Sequence, residues 1–515
     1  MAATVDVLVV GAGHNGLVAA TILGRAGLSV RVLEAADLVG GACRTEHPFE
    51  KAPRVGQSTG AYLLGLMPPE LVQKLGIALP LMRRDPHYFL PTTDERYLLM
   101  GADRDATEAQ LAQFFSQADV VADRALQAEL VALREDVAPA WLDAPLSIED
   151  TAERYVRPAL REAFVELCRG TVGDYLARFE FRSELLEAMY AVTDGFTGLS
   201  GSWDTPGSGM NFLAHNMCRL PGSDGTWMVV RGGMGAVTRE LADAARSAGA
   251  EITLGAPVAS IELEGGRVCG VVTESGELHR ATSVVVGADP FRLLSMLGDA
   301  CPSELRARID GYRRPGTSIK VNLCLRDLPR FRCLPDDRGQ HRATIHLLPE
   351  HDTRAKLQAA FEQCESGQLP EDPSIEWYIH TTLDQSLRDE HGRHSAALFC
   401  QWVPYELAES SWEREEGRFV DRLLETCDRF APGTSALVDD VFTLTPPKIE
   451  AHFGITAGHI HHVDNSFGFA DRLPYRLPLG GVYACGAGCH PAGSVIGAAG
   501  NNAAELVLAD LAISS

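Results

Sequence analysis

The chain has no long hydrophobic run: across 515 residues, no apolar stretch approaches the roughly 18–20 residues of a membrane-spanning helix. It also has no C-x-x-C pair. Its twelve cysteines (43, 168, 218, 269, 301, 324, 333, 364, 400, 427, 485, 489) are scattered through apolar contexts, and a chain of this size needs no disulfide framework. Buried free thiols in a reducing compartment follow, with the cytosol (a cytoplasmic location) expected. Positive charge is scarce: 46 Lys and Arg stand against 69 Asp and Glu, a formal net charge of −23. That balance excludes a nucleic-acid partner and gives no support to peripheral contact with an anionic membrane. There is no internal repeat or low-complexity tract. The first strand-like run begins by Val5, so no cleavable leader is expected. What remains is ordinary globular usage, 45% apolar and 22% charged, on a chain long enough for two or three domains.

The strongest local signal stands at the N-terminus. Val5-Asp6-Val7-Leu8-Val9-Val10 reads as a buried strand, and Gly11-Ala12-Gly13-His14-Asn15-Gly16 follows at once. An apolar helical stretch covers residues 17–23, and 28–33 reads as a second strand ending on Glu34. Strand, G-x-G-x-x-G turn, helix, strand and terminal acid is the order of a dinucleotide-binding βαβ unit. Gly11 makes the tight turn, Gly13 lets the backbone approach a pyrophosphate, and Gly16 lets helix and strand pack closely. The helix N-terminus, with Asn15 in its first turn, offers N–H groups and partial positive charge to phosphates. Glu34 is placed to accept hydrogen bonds from ribose hydroxyls and would repel a 2′-phosphate, which argues against NADP.

Further glycine turns follow. Residues 39–45 hold Gly40, Gly41 and Arg44 just past the acid-bearing strand. A second block, Arg231-Gly232-Gly233-Met234-Gly235, leads into a helix over 236–247, strands at 251–254 and 258–263, a hairpin pairing 268–273 with 278–281, and a closing strand at 283–288. The third block runs from Gly481 through Gly486 and Gly488 to His490-Pro491-Ala492-Gly493, with a small-residue helix expected over 495–512. Between the blocks, 104–200 reads as amphipathic helices, such as 125–137 and 158–169. From 318 to 403, period-two runs dominate: Ile319, Val321, Leu323 and Leu325 alternate with Lys320, Asn322, Cys324 and Arg326, the pattern of half-buried antiparallel strands. Trp412, Phe419, Leu423, Cys427 and Phe430 mark one face of a later helix. The expected organisation is a discontinuous nucleotide-binding domain over 1–70, 225–295 and 465–515, a mostly helical cap over 71–224, and a substrate domain with an antiparallel sheet over 296–464.

These blocks resemble the phytoene desaturase-type FAD-dependent oxidoreductases, and among them the subgroup called pyridine nucleotide-disulfide oxidoreductase domain-containing protein 2. The resemblance is carried by Val9-Val10-Gly11-Ala12-Gly13-His14-Asn15-Gly16, Thr205-Pro206-Gly207-Ser208-Gly209, Val230-Arg231-Gly232-Gly233-Met234-Gly235-Ala236, Leu444-Thr445-Pro446-Pro447 and Tyr483-Ala484-Cys485-Gly486-Ala487-Gly488-Cys489-His490-Pro491. It spans nearly the whole chain. It implies an α/β fold in which a discontinuous Rossmann-type FAD-binding domain, glutathione reductase-like and amine oxidase-like, carries an inserted antiparallel-sheet substrate domain and a helical cap. It also implies FAD rather than NAD. Gly40, Gly41 and Arg44 would then lie along the cofactor, the backbone at Val258 at its adenine, and the turn from Gly486 and Gly488 to Val495 at pyrophosphate and ring. Two stretches depart from the family pattern: Pro491-Ala492-Gly493-Ser494-Val495 stands for Pro-Gly-Gly-Gly-Val, and Gly458-His459-Ile460-His461-His462 for Gly-Gly-Asn-Ile-Phe-His.

Disulfide chemistry is not legible, because Cys43 has Pro48 where a second redox cysteine would stand. Nor is there a second G-x-G-x-x-G for NADH, so electrons are expected to pass to oxygen, a quinone or another external acceptor. The expected reaction is hydride transfer between a largely apolar small-molecule substrate and flavin N5, of desaturase, dehydrogenase or isomerase type. A flavin amine oxidase is the enzymatic alternative. A non-catalytic escort protein on the same fold is the other, disfavoured by the intact glycines and Glu34. His490 is the candidate catalytic group, as flavin donor or proton relay; the competing reading is a histidine that holds its own turn. His459, His461 and His462 do not make a metal site, because neighbours on a strand face opposite ways. Tyr475 and Arg476 are candidate cavity residues, and Cys485 and Cys489 read as packed small residues.

Overall fold

Val5–Val10 (β1) is apolar on both faces, and such a strand is stable only between two covering layers; Val7, Leu8 and Val9 are fully buried. The computed structural model, which describes residues 4–513, places β1 in the middle of a seven-stranded sheet. His14–Arg25 (α1) crosses from it to Val30–Leu33 (β2), which pairs with β1 in parallel. On the other side of β1 lies Leu278–Val286 (β3), also parallel. The sheet order is Val258–Glu264, Arg267–Thr273, β3, β1, β2 and Glu251–Thr253, with Val482–Ala484 pairing β3 in parallel as well. Residues 278–281 and 283–288 were expected as two strands, but they belong to one. The start of β3 pairs antiparallel with Arg267–Thr273, and its end lies between β1 and Val482–Ala484. A change of partner midway gives the run the look of a break.

The second sheet also has seven strands. It is built on Ser318–Leu325 (β4), Thr344–Leu347 (β5), Ile375–Tyr378 (β6), His394–Gln401 (β7) and Val438–Leu444 (β8). Its order is β8, β4, β7, β6, β5, Tyr88–Pro91 and Tyr97–Met100. The last two strands lie in the stretch expected to be cap, so the boundary over 71–224 requires correction. Tyr88–Pro91 joins by parallel pairing with β5, a long-range match that local pattern does not specify. One face of the sheet carries Ile319, Val321, Leu323, Trp377 and Leu398, and packs under the helix Trp412–Phe430 through Phe419, Leu423 and Cys427. The other face is polar, yet every residue of β4, β5, β6 and β7 is buried. The expectation of half-buried strands is therefore wrong for these four, because other parts of the chain cover the polar face.

The cap is helical and starts its helices with side-chain caps. Ser116 accepts from Asp119 N, Ser147 from Asp150 N and Thr171 from Asp174 N. The Ser116 cap opens the helix Gln117–Val137 eight residues before the expected start at 125. Glu184–Tyr190 runs into a π-helical turn, Ala191–Phe196, above the polar face of the second sheet. Among the described residues, no helix is long and apolar enough to cross a membrane.

Candidate functional site

The glycine turn after β1 leaves α1 uncapped: Gly13 makes no side-chain cap and no acid stands in the first helical turn. Its N–H groups and partial positive charge therefore remain unsatisfied. Gly11 has φ +96°, a conformation that favours glycine. A Cβ on Gly16 would overlap Gly11 O, whereas one on Gly13 would meet nothing within 4 Å. Gly16 is thus a packing glycine, and Gly13 borders open space. The second glycine turn faces it: Gly40 N donates to Ala12 O at 2.9 Å, and a Cβ on Gly41 would touch Gly13 Cα at 3.7 Å. His14 Nε2 and Asn15 Oδ1 are buried here without partners. An uncapped helix N-terminus and an open glycine fit the pyrophosphate of a dinucleotide.

Glu34 accepts from Ala12 N at 2.6 Å through one oxygen and from Ala36 N at 2.9 Å through the other. These bonds fix the carboxylate beside the glycine turn, and each oxygen keeps a lone pair for a ligand. Ala256 N donates to Glu34 O, so the strand that opens at Val258 starts next to this rim. Arg44 is buried and already engaged. Its Nη2 donates to His452 O at 3.1 Å, its Nε lies 3.2 Å from Glu46, and its guanidinium lies over Phe453 at 4.8 Å. It joins the cofactor-side turn to the helix Pro446–Phe453.

The C-terminal block lies on the first turn. A Cβ on Gly486 would sit 2.5 Å from Ala288 O, and one on Gly488 2.9 Å from Pro290 Cγ, so both glycines permit close packing at the end of β3. The last helix, Ala498–Ile513 (α2), begins three residues after Val495, not at it. Gly497, at φ +80°, breaks the helical run. A Cβ on Gly500 would overlap Asn15 O, which shows how tightly α2 packs on α1. Val495 is buried in the bend before α2, and the Ser494 backbone hydrogen-bonds the His14 ring, whose pKa burial pushes down to about 4.

His490 is 2% exposed, and its Nε2 lies 2.9 Å from Ala140 O. A carbonyl only accepts, so the proton is on Nε2; Nδ1 is buried without a partner. The ring meets Phe469 edge-on at 5.2 Å, and burial pushes its pKa down to about 4. Tyr475 donates to His490 O at 2.9 Å and accepts from Asn502, so it fixes this turn. Arg476 is on the outside, paired with Asp510, and does not line a cavity. Cys485 and Cys489 are buried, and burial raises both thiol pKa values, that of Cys489 to about 12. His459 lies 3.2 Å from Asp464, His461 Nε2 lies 2.9 Å from Thr197 O, and His462 adopts φ +62°.

A second cluster was not anticipated. Lys320 on β4 donates to Ser58 O and, at 2.8 Å, to Gly60 O, and its ammonium lies 4.5 Å from the Tyr62 ring centre. Burial pushes its pKa well below the usual lysine value. Ala61 N donates to Ala42 O, so this segment rests on the second glycine turn. Across the sheet, Lys320 pairs in register with Phe399, Phe399 with Glu376, and Glu376 with His346. Tyr62 and Tyr378 have ring centres 4.3 Å apart, and Tyr378 donates to Glu376. Burial raises the Glu376 pKa to about 8 and that of Asp194, in the π turn, to about 7. Tyr62, Trp227 and Ile460 are half-buried and pack against the buried Tyr378 and Phe399. The available signal is the polar half of the alternation in β4, Lys320, Asn322, Cys324 and Arg326.

Residues 16–327 match the family of flavin containing amine oxidoreductases, and 225–504 match the FAD dependent oxidoreductases. The chain belongs to the flavin-containing amine oxidoreductases. The members of this family are FAD enzymes, and the glycine groove, the uncapped helix start and Glu34 fit that cofactor. The chain is 34% identical to pyridine nucleotide-disulfide oxidoreductase domain-containing protein 2 of Mus musculus, over 98% of its own length and 94% of the relative's. It is 28% identical to the hydroxyneurosporene desaturase of Cereibacter sphaeroides, over 98% of both. A solved putrescine oxidase bound to putrescine shares the fold, with a TM-score of 0.62 at 17% identity over 99% of both chains. The expected family, α/β fold, enzyme class and cofactor are thereby established.

Proposed function

We propose that this FAD enzyme dehydrogenates a small molecule with a largely apolar body and passes the electrons to an external acceptor, oxygen or a quinone. The observation that carries this reading is the largely apolar cluster of Tyr62, Trp227, Phe399 and Ile460 next to the segment Lys320 holds against the glycine turns. When bound, the flavin supplies a hydride acceptor at N5. The chain's own residues do the rest. Gly13, His14 and Asn15 receive the pyrophosphate, Glu34 the ribose, and the aromatic cluster excludes water. His490 fixes the 486–495 turn and keeps Nδ1 as its acceptor for ring or proton. The relatedness to a desaturase supports removal of hydrogen from carbon. Twelve free thiols suit a reducing compartment such as the cytosol.

A second reading, amine oxidation, is favoured by the fold shared with putrescine oxidase. Anaerobic mixing of the purified yellow protein with polyenes, terpenoid alcohols and amines separates the two by which class bleaches the flavin. Rapid reduction by NADH would overturn the external-acceptor reading, and a colourless protein that cannot take up FAD would leave only an escort role. His490→Ala is expected to keep FAD but slow reduction by roughly 10²-fold if its ring handles a proton. An unchanged rate limits it to holding the turn.

A further inference from the structure

Arg84 stands between the short strand Leu81–Met82 and the strand Tyr88–Pro91, and it is 2% exposed. A guanidinium keeps its proton at any pH a folded protein meets, so its charge is buried with it. Its Nε donates to Trp227 O at 2.9 Å, and its Nη1 donates to Thr344 Oγ1 at 2.6 Å. Both acceptors are uncharged, and no carboxylate pairs with Arg84 among the described residues. Its Nη2 is buried and has no acceptor in the chain. Glu376 is the carboxyl that acts on Arg84, but burial raises its pKa to about 8. Near pH 7 it is mostly the neutral acid and supplies little counter-charge.

A small cavity lies beside this group. Its volume is about 10 Å³, enough for one particle of about the size of a water. Arg84 lines it together with His380 and Arg342. His380 is 5% exposed, and its Nε2 is buried without a partner. Arg342, Thr382 and Leu383 reach solvent and mark the mouth. The rest of the lining is apolar or aromatic, and no lining residue is acidic, in a chain where acids outnumber bases by 69 to 46. Lys320 brings a second buried cation to this region. Burial first, and then Lys320 and Arg84, push the His380 pKa down to about 3.

We propose that Arg84, His380 and Arg342 form a binding site for a single halide ion, chloride under ordinary conditions. A water would satisfy Nη2 but would leave the guanidinium charge uncompensated in the interior, where an unpaired charge is costly. A halide accepts the N–H bonds and supplies the missing negative charge. A cavity of this size excludes phosphate, sulfate and organic carboxylates. With Nε and Nη1 committed to Trp227 and Thr344, Nη2 is the donor that Arg84 has left for the ion. A neutral His380 donates from Nε2 in one of its two tautomers, and the exposed Arg342 draws the anion to the mouth. The bound ion ties Trp227 and Thr344, through Arg84, to the turn His380–Thr382 that follows β6. The site does not depend on the flavin chemistry proposed above.

Two measurements test the site. The protein as purified, exchanged into sodium gluconate, should gain stability as chloride replaces gluconate at constant ionic strength. Its melting temperature should rise and then level off, by about 1–2 °C once chloride stands roughly tenfold above its Kd. Arg84→Met and His380→Phe should lose this saturable rise, and Arg342→Gln should need several-fold more chloride to reach it. A melting temperature indifferent to the exchange, or an equal chloride response in wild type and Arg84→Met, would overturn the site. Crystals of the wild-type protein grown in sodium bromide give a test that needs no variant, and they decide the matter if Arg84→Met does not fold. An anomalous peak is expected within hydrogen-bonding reach of both Arg84 Nη2 and His380 Nε2. A water at that position without anomalous signal, or bromide found on the surface only, would sink the proposal.

Discussion

The two seven-stranded sheets are alike in size and opposite in use. The first buries apolar residues on both faces and brings Gly13, Gly40 and Glu34, the proposed cofactor residues, together at the strand ends. The second has one apolar face under the helix Trp412–Phe430 and buries a polar one, where Lys320, Phe399, Glu376 and His346 lie side by side. A site made from turns requires backbone geometry and space. A site made from a sheet face requires polar side chains kept from water, and burial then shifts their ionisation.

The sharpest test of this contrast uses two glycines of one motif. Gly16→Val should abolish folding of the first unit, costing about 3 kcal/mol or more, because its side chain would overlap Gly11 O. Gly13→Ala should melt like the wild type as apoprotein but fail to retain FAD, since its methyl fills open space. Equal flavin content in Gly13→Ala and wild type would remove the pyrophosphate from this groove.

Acid should act mainly through buried histidines, several of them at the polar face. His87, His346, His380 and His461 are pushed down to about 3, and His14, His215 and His490 to about 4, chiefly by burial. The folded state holds these rings neutral, and the unfolded chain protonates them near 6.5. Their contribution to stability is thus complete above pH 6.5 and falls as pH drops toward 4, by up to about 1.4 kcal/mol per pH unit per ring. Melting temperature measured from pH 7 to 5 should fall steeply, and less so in His346→Phe. A flat profile would mean that water reaches these rings.

Lys320→Met leaves two buried carbonyls without a donor and should cost about 1–3 kcal/mol by denaturant titration. An unchanged midpoint would mean that removing a buried ammonium offsets the loss. Glu34→Gln should weaken FAD retention by about 1.5–3 kcal/mol, the scale of a hydrogen bond to a charged group, read as flavin content after gel filtration. Full retention would remove Glu34 from the ribose.

The βαβ unit was legible because its function depends on neighbours in the chain: glycines at fixed offsets, a helix start and one acid, all within the first 34 residues. The start of α2 was misplaced because a small-residue run does not reveal that Gly497 takes a positive φ. His490 was noticed for its turn, but only the fold supplied Ala140 as its partner. Period-two alternation identified two faces in β4, but alternation does not say what lies above each one.

The sequence by itself determined the family and the cofactor, because motifs collinear over nearly the whole chain carry them. Tertiary structure alone decided that the polar face of the second sheet is an interior wall. Lys320 reaches Ser58 across 262 residues, and Thr197 meets Glu376 across 179. Whether a polar side chain meets water or a buried partner depends on which distant segment covers it, and only the folded chain sets that.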